Sequence, residues 1–246
     1  MESESIQDIL ERVRGVHIGV DIGQKVDYTA IVVAEVGERV IERVRDWRGV
    51  QCDVTQATYR VHELVRLPLG TSFGTVAKEV ASYAGAVWEM EKQLRLGGTL
   101  LEDERALGVD IFMDATGVGA PVVELISGEL QSSSKTDRAV LHPITFTYGD
   151  RFDREKGSLG KAYLVSHLQV LFEQERLELP KGDPEIETMV EELRDYEIRI
   201  DQDANDKYGA FAVGAHDDMV TALGLACIEE PGYYGVEEAP HLWGGW

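Results

Sequence analysis

Short apolar runs rich in β-branched residues alternate in this chain with stretches whose apolar residues recur every three or four positions. That change of period divides the chain into elements. Residues 16–22 (VHIGVDI) form one β-rich run, ending in Gly23, and residues 28–36 (YTAIVVAEV) a second. Residues 39–47 alternate only loosely. Two β runs separated by few residues predict antiparallel neighbours. Residues 61–69 have β character, punctuated by Pro68, Gly70 and Ser72. Val76, Val80, Tyr83, Val87, Met90 and Leu94 then form a single helical stripe that Gly97 and Gly98 end. A polar link over 101–105 leads to a strand over 109–113 that closes on Asp114. Residues 115–119 (ATGVG) form a tight turn, and Pro121 suits the first position of a helix running to about residue 130.

The second half continues in the same manner. Residues 132–137 are a Ser-rich link, residues 139–148 a strand, and residues 149–158 a charged loop. Leu164, Leu168 and Leu171 mark a helix over about 159–176. Asp183 and Pro184 open another helix, with Ile186, Met189, Val190 and Leu193 on its apolar face. Residues 196–200 alternate as a half-exposed strand, and residues 208–213 form one more. The last helix starts near Asp217 and carries Val220, Leu223 and Cys227. The order is β-β-β, then α-β-α-β-α, then a closing helix. It predicts an α/β fold with an antiparallel start. The expected division is an extension over 1–15, one domain over 16–228, and a flexible tail over 229–246 rich in Gly, Pro and aromatics.

Composition narrows the class. The chain has 246 residues, 43% hydrophobic and 28% charged, which is globular composition. It is long enough to bury a sizeable core without a disulfide or metal staple. Cys52 and Cys227 stand far apart with no Cys/His cluster, which fits a reducing compartment. No apolar run reaches membrane-spanning length, and the N-terminus has no signal-like apolar core. The formal charge is −21. Nucleic-acid binding relies on Lys and Arg at phosphates, so any DNA partner needs a local basic patch or outside help. Charge is uneven: residues 181–246 hold 16 acids and 4 bases, whereas residues 138–161 hold 5 bases and 3 acids.

Three acidic positions stand at element ends. Asp21 lies in G-V-D-I-G, Asp114 in F-M-D-A-T-G-V-G, and Asp217 with Asp218 in H-D-D-M-V-T-A-L. In open α/β sheets, sites form beyond the carboxyl ends of strands. A carboxylate on an apolar strand is costly unless it is paired or metal-bound. Converging carboxylates raise one another's pKa, and a divalent cation cancels that repulsion. Hard oxygen donors suit Mg²⁺ or Mn²⁺. Two such ions can clamp the attacking and leaving oxygens of a phosphodiester displacement. Each acid also has an ordinary alternative. Asp21 can start a turn, Asp114 can cap the turn after it, and Asp217 and Asp218 can complement the dipole of the closing helix. The conjunction of the three carries the weight.

Those three motifs, with residues 66–73 (RLPLGTSF) and 160–164 (GKAYL), resemble the nuclease domain of the large terminase subunit of tailed bacteriophages. The resemblance runs over about 16–228. It implies an RNase H-like fold: a mixed central sheet, antiparallel in its first strands and then parallel, flanked by helices. It implies a metal-dependent endonuclease that cuts viral DNA during packaging, with two Mg²⁺ or Mn²⁺ ions on Asp21, Asp114 and Asp218, and Asp217 adjacent. Asp21 is expected to bridge the ions. His216 would position a ligand or water, or be a surface or capping histidine. Lys161, Arg151 and Arg154 are candidates for phosphate contact because their stretch is locally basic, and solvated loop charge is their alternative. Nothing resembles base readout, so little sequence specificity is expected. The implied partners are double-stranded DNA, a packaging ATPase, the small terminase subunit and the portal, in the cytoplasm of an infected bacterium and without a membrane.

The family normally carries an N-terminal ATPase, and no G-x-x-x-x-G-K-[ST] motif is found here. G157-S-L-G-K161 continues as Ala. The expectation is therefore a nuclease half alone or a stand-alone relative. Two rival readings compete. An actin- or sugar-kinase-like ATPase also opens with a strand bearing D-x-G and has a later Asp-rich turn, but 246 residues is short for its two lobes. A Holliday-junction resolvase shares the fold, though a smaller and more basic chain would be expected. A non-catalytic assembly protein, its acids relics, is a third.

Overall fold

The computed structural model describes residues 13–23, 27–45, 47–97, 106–117, 120–182, 184–195, 197–200, 206–209 and 217–228. The extension up to residue 12, His216 and the tail from 229 lie outside the described residues, as do Asp183 and most of the strand expected over 208–213.

Strands β1 (Val13–Asp21), β2 (Thr29–Arg45) and β3 (Gln51–Leu67) form an antiparallel meander. Helix α1 (Phe73–Leu96) follows, then β4 (Gly108–Asp114), α2 (Ala120–Gln131), a 3₁₀ turn (Ser134–Thr136) and β5 (Ala139–Thr147). Next come β6 (Phe152–Asp153), β7 (Ser158–Gly160), α3 (Lys161–Glu173), β8 (Leu177–Glu178) and α4 (Pro184–Asp195). The two-stranded ribbon β9 (Glu197–Ile200) and β10 (Asp206–Gly209) precedes α5 (Asp218–Ala226). The main sheet has eight strands in the order β6-β7-β5-β4-β1-β2-β3-β8. β1 pairs antiparallel with β2 but parallel with β4, and β4 pairs parallel with β5. This is the mixed sheet with antiparallel first strands expected from the sequence.

Both faces of the sheet are covered, and each has its own core. Val16, Ile18, Val20, Ile31 and Ile111 pack with Val76, Val80 and Ala84 of α1 and Val122 and Ile126 of α2. On the other face Ala30, Val32, Phe112 and Ile144 meet Leu164 and Leu168 of α3, Met189 of α4 and the apolar residues of α5. All nine residues of α5 are buried. A helix apolar all round is a core helix, and here it lies directly on β1 and β2. No helix of the described residues is long and apolar enough to cross a membrane.

The structure corrects several details. Residues 39–47 are not a separate run: β2 continues unbroken to Arg45, paired with β3 along its length except for irregularities such as that at Val40/Glu42. Its far half is exposed, so no core imposed clean alternation there. The charged loop over 149–158 contains β6 and the start of β7, which pair with each other. Leu159 belongs to β7, so α3 starts at Lys161. It ends at Glu173, and Glu175 follows with φ +53, outside the helical range. Pro121 is the second residue of α2. The apolar stripe of α1 is buried from Val76 to Val87. Met90 is largely exposed, and Glu91 is buried instead, pairing with Arg95 at 2.8 Å and Arg138 at 2.7 Å.

Candidate active site

Asp21 is the last residue of β1 and Asp114 the last of β4. The two strands are parallel neighbours, with Val20 opposite Met113, so their final carboxylates emerge side by side at one end of the sheet. α5 brings the third contribution. Its first turn lies at the same end, with Asp217 at the N-cap and Asp218 as the first helical residue. Gly19 makes this possible. A Cβ there would overlap the Ala222 carbonyl oxygen, so only glycine lets the backbone of α5 lie this close to β1.

The electrostatics of Asp21 record the convergence. Its pKa is raised well above the ordinary carboxylate value, first by loss of hydration and then by the negative charges of Asp114, Asp218 and Asp217. The Lys161 ammonium acts in the opposite direction. Among the described residues, no three His, Cys, Asp or Glu side chains are drawn together tightly enough to hold one ion as they stand. The carboxylates of Asp114, Asp217 and Asp218 are nonetheless close enough to act on Asp21. As a donor set they offer only hard oxygens, which fits Mg²⁺ or Mn²⁺ and not a soft metal.

Asp114 serves its turn as well as the cluster. Its Oδ1 accepts the Thr116 N–H at 2.8 Å, and the Thr116 hydroxyl oxygen accepts the Phe146 N–H at 2.8 Å. The D-A-T-G turn is thereby tied to β5 and holds Asp114 in place. Asp218 is almost fully buried. Asp217 makes no side-chain cap of its own helix. Its Oδ2 lies 3.4 Å from Lys161 Nζ, so its position is not explained by capping.

The basic candidates separate. Lys161 opens α3 beside the acids, and its ammonium also lies 5.5 Å from the Phe146 ring centre. Its nearest charged partner is Asp217. Arg151 and Arg154 are exposed on the loop around β6, and of the three bases Lys161 is the one whose charge acts on Asp21. Arg154 lines a separate shallow cleft with Phe112, His142 and Phe152. There His142 Nε2 stands 2.6 Å from Asp110 Oδ1. Burial would raise the Asp110 pKa, but that hydrogen bond and the charges of His17, His142 and Arg154 hold it below the ordinary value.

Sequence reasoning missed two residues. Glu192, on α4, is buried, and its Oε2 accepts the N–H groups of Met219 at 2.9 Å and Val220 at 3.4 Å. Arg66, near the end of β3, forms an ion pair with Glu192 and lies 4.9 Å over the Tyr28 ring. Arg66 stands in the R-L-P-L-G segment quoted above. Glu192 had no signal beyond being one glutamate in an acidic amphipathic helix.

The chain is similar to large-terminase nuclease domains. The nuclease of the large terminase from thermophilic phage G20c is 20% identical, the match covering 87% of this chain and 83% of that one, with a TM-score of 0.49. The nuclease domain of Thermus phage P74-26 is 18% identical over 87% of this chain and 80% of that one, TM-score 0.46. The terminase nuclease domain of human cytomegalovirus, soaked with Mn and inhibitor-bound, is 12% identical over 87% and 82%, TM-score 0.47. No protein-family model and no curated protein sequence matches.

Proposed function

We propose that this chain is a divalent-cation-dependent endodeoxyribonuclease of the terminase large-subunit type. Asp21, Asp114, Asp217 and Asp218 are the carboxylates that would hold two Mg²⁺ or Mn²⁺ ions. The observation that carries this reading is the state of Asp21. A carboxylate pushed up by lost hydration and by three acidic neighbours is an unfavourable arrangement for a merely structural residue. It becomes favourable once positive charge is added. Bound there, divalent cations polarise a phosphodiester and make a water more acidic.

The protein's own contribution is positional. β1 and β4 fix Asp21 and Asp114 on rigid parallel strands, and α5 fixes Asp217 and Asp218 against them. Asp21 stands on the central strand, between β2 and β4, and would hold metal together with Asp114, Asp217 and Asp218. Lys161 offsets part of the negative charge and, with Arg151 and Arg154, contacts backbone phosphates. His216 stands just before Asp217 in the sequence and remains part of this proposal as a positioning group. No base readout is invoked, so cleavage has little sequence preference. The overall charge of −21 fits a nuclease held weakly on double-stranded DNA until an ATPase, small subunit or portal partner brings the DNA to it, in the host cytoplasm.

The test is cleavage of supercoiled plasmid with Mg²⁺, Mn²⁺ or EDTA, wild type beside Asp21→Asn. Metal-dependent nicking is expected. The variant should lose more than about 100-fold of it, beyond the 10–100-fold typical of outer-shell partners of a metal. No cleavage with either metal, or an Asp21→Asn variant as active as wild type, overturns the assignment.

A further inference from the structure

The start of α5 is capped in an unusual way. In a helix, the side chain at the N-cap ordinarily accepts the N–H of the second or third helical residue. Here those donors are Met219 and Val220, and the N-cap residue Asp217 accepts neither through its side chain. Glu192, reaching across from α4, takes both. It is buried, and Arg66 faces it as counter-charge from β3.

We propose that Glu192 is a positioning residue: it caps α5 in place of Asp217, leaving the Asp217 and Asp218 carboxylates to the metal site. This rests on the metal-site reading above. Its physical logic has two parts. A carboxylate at a helix N-terminus makes charge-assisted hydrogen bonds and matches the helix dipole, so the helix start is held firmly. A fifth carboxylate near four others would add repulsion, and the Arg66 guanidinium neutralises it. The Arg66 guanidinium is itself seated on Tyr28, close after β1. β3, α4 and α5 are thereby locked to one another at the end of the molecule where the acids converge.

Removing the cap gives Asp217 an alternative. In Glu192→Ala, Asp217 can turn back and cap its own helix, and the site then loses a carboxylate. A residue that only stabilised the fold would not transfer its loss to metal affinity in this way.

The experiment pairs two readouts on the full chain. The first is amide hydrogen exchange at Met219 and Val220 without metal, and the second is Mn²⁺ titration calorimetry. Glu192→Ala is expected to speed exchange at those two amides and to weaken Mn²⁺ binding at least about 10-fold, as loss of an outer-shell partner does. Adding Asp217→Ala to that variant should weaken binding less than the same change does in the wild type, because the two effects share one residue. Unchanged Mn²⁺ affinity in Glu192→Ala, or full additivity with Asp217→Ala, overturns the proposal. Where the alanine variant does not fold, the pair Arg66→Gln with Glu192→Gln decides. It removes both charges and keeps an acceptor oxygen, so near-wild-type exchange and affinity are expected and their loss overturns the assignment. If the protein binds Mn²⁺ and responds as expected but cuts no DNA, the nuclease reading fails and the positioning role stands.

Discussion

Along β1, residues 16, 18 and 20 meet α1 and α2, while residues 17, 19 and 21 meet α5 or stand beside its first turn. The first set is Val, Ile and Val, each buried among aliphatic neighbours. The second is His, Gly and Asp. His17 is buried against the far end of α5, its Nδ1 3.0 Å from the Ala226 carbonyl oxygen. Tyr59 donates its hydroxyl to the Ile228 carbonyl at 3.1 Å, and His167 Nε2 lies 3.0 Å from that of Cys227. The carbonyl end of α5 is therefore met by polar side chains, whereas its amide end carries the acids. One face of the strand holds the fold together. The other holds a helix at a fixed distance and register so that its first turn reaches Asp21. Three residues within four positions of one strand should therefore respond to substitution in three different ways.

The largest stability effect belongs to the purely apolar face. Ile18 is fully buried, and truncating it leaves a cavity between the sheet, α1 and α2. Ile18→Ala should cost about 2–5 kcal/mol of unfolding free energy, read from denaturant melts, with metal affinity unchanged in the folded fraction. A parallel loss of Mn²⁺ affinity would mean that the two faces of β1 are mechanically coupled.

Gly19→Ala should have a smaller effect on stability and a larger one on the site. The added methyl meets helix backbone at Ala222, which cannot swing away as a side chain could. Overpacking of this kind costs about 1–3 kcal/mol. Relief comes only by lifting α5, which carries Asp217 and Asp218 away from Asp21. The expected outcome is a folded protein with weakened Mn²⁺ binding. Wild-type affinity in that variant would show that α5 tolerates displacement and that the glycine is not what sets the site.

These contrasts also account for what could be read in the sequence. The stripe of α1 and the leucine face of α3 were legible because one-sided burial leaves a period behind, and β1 because burial on both faces leaves a short, nearly continuous β-branched run. The acids were legible because Asp on an apolar strand conflicts with burial. The exposed far half of β2, beyond Val40, left no period, since no core packs on it there. The exchange of Met90 for Glu91 at the end of α1 was hidden because the partners of Glu91, Arg95 apart, are Arg138 and the Leu107 amide, remote in sequence. Glu192 was invisible for the same reason. Its role depends on Met219, Val220 and Arg66, which only the fold brings together.

Asp21 supplies the smallest change in stability, and its sign is opposite to the other two. Its pKa is raised in the folded chain, so the folded state binds this proton more tightly than the unfolded state. Unfolding free energy therefore falls as pH rises from the ordinary carboxylate range to the raised value, and stays low above it. Asp21→Asn removes the charge. It should melt higher than wild type at neutral pH without metal, by about 2–4 °C for each kcal/mol relieved, and the gap should shrink as pH is lowered towards the ordinary carboxylate range. Saturating Mn²⁺ should close the gap from the other side, because an ion held by the folded wild type stabilises it by mass action and the variant forgoes that gain. Equal melting at neutral pH would mean that Asp21 is adequately compensated by Lys161 and its surroundings. A gap unaffected by Mn²⁺ would mean that the acids repel one another without holding a metal, and the two faces of β1 would then differ in polarity and not in purpose.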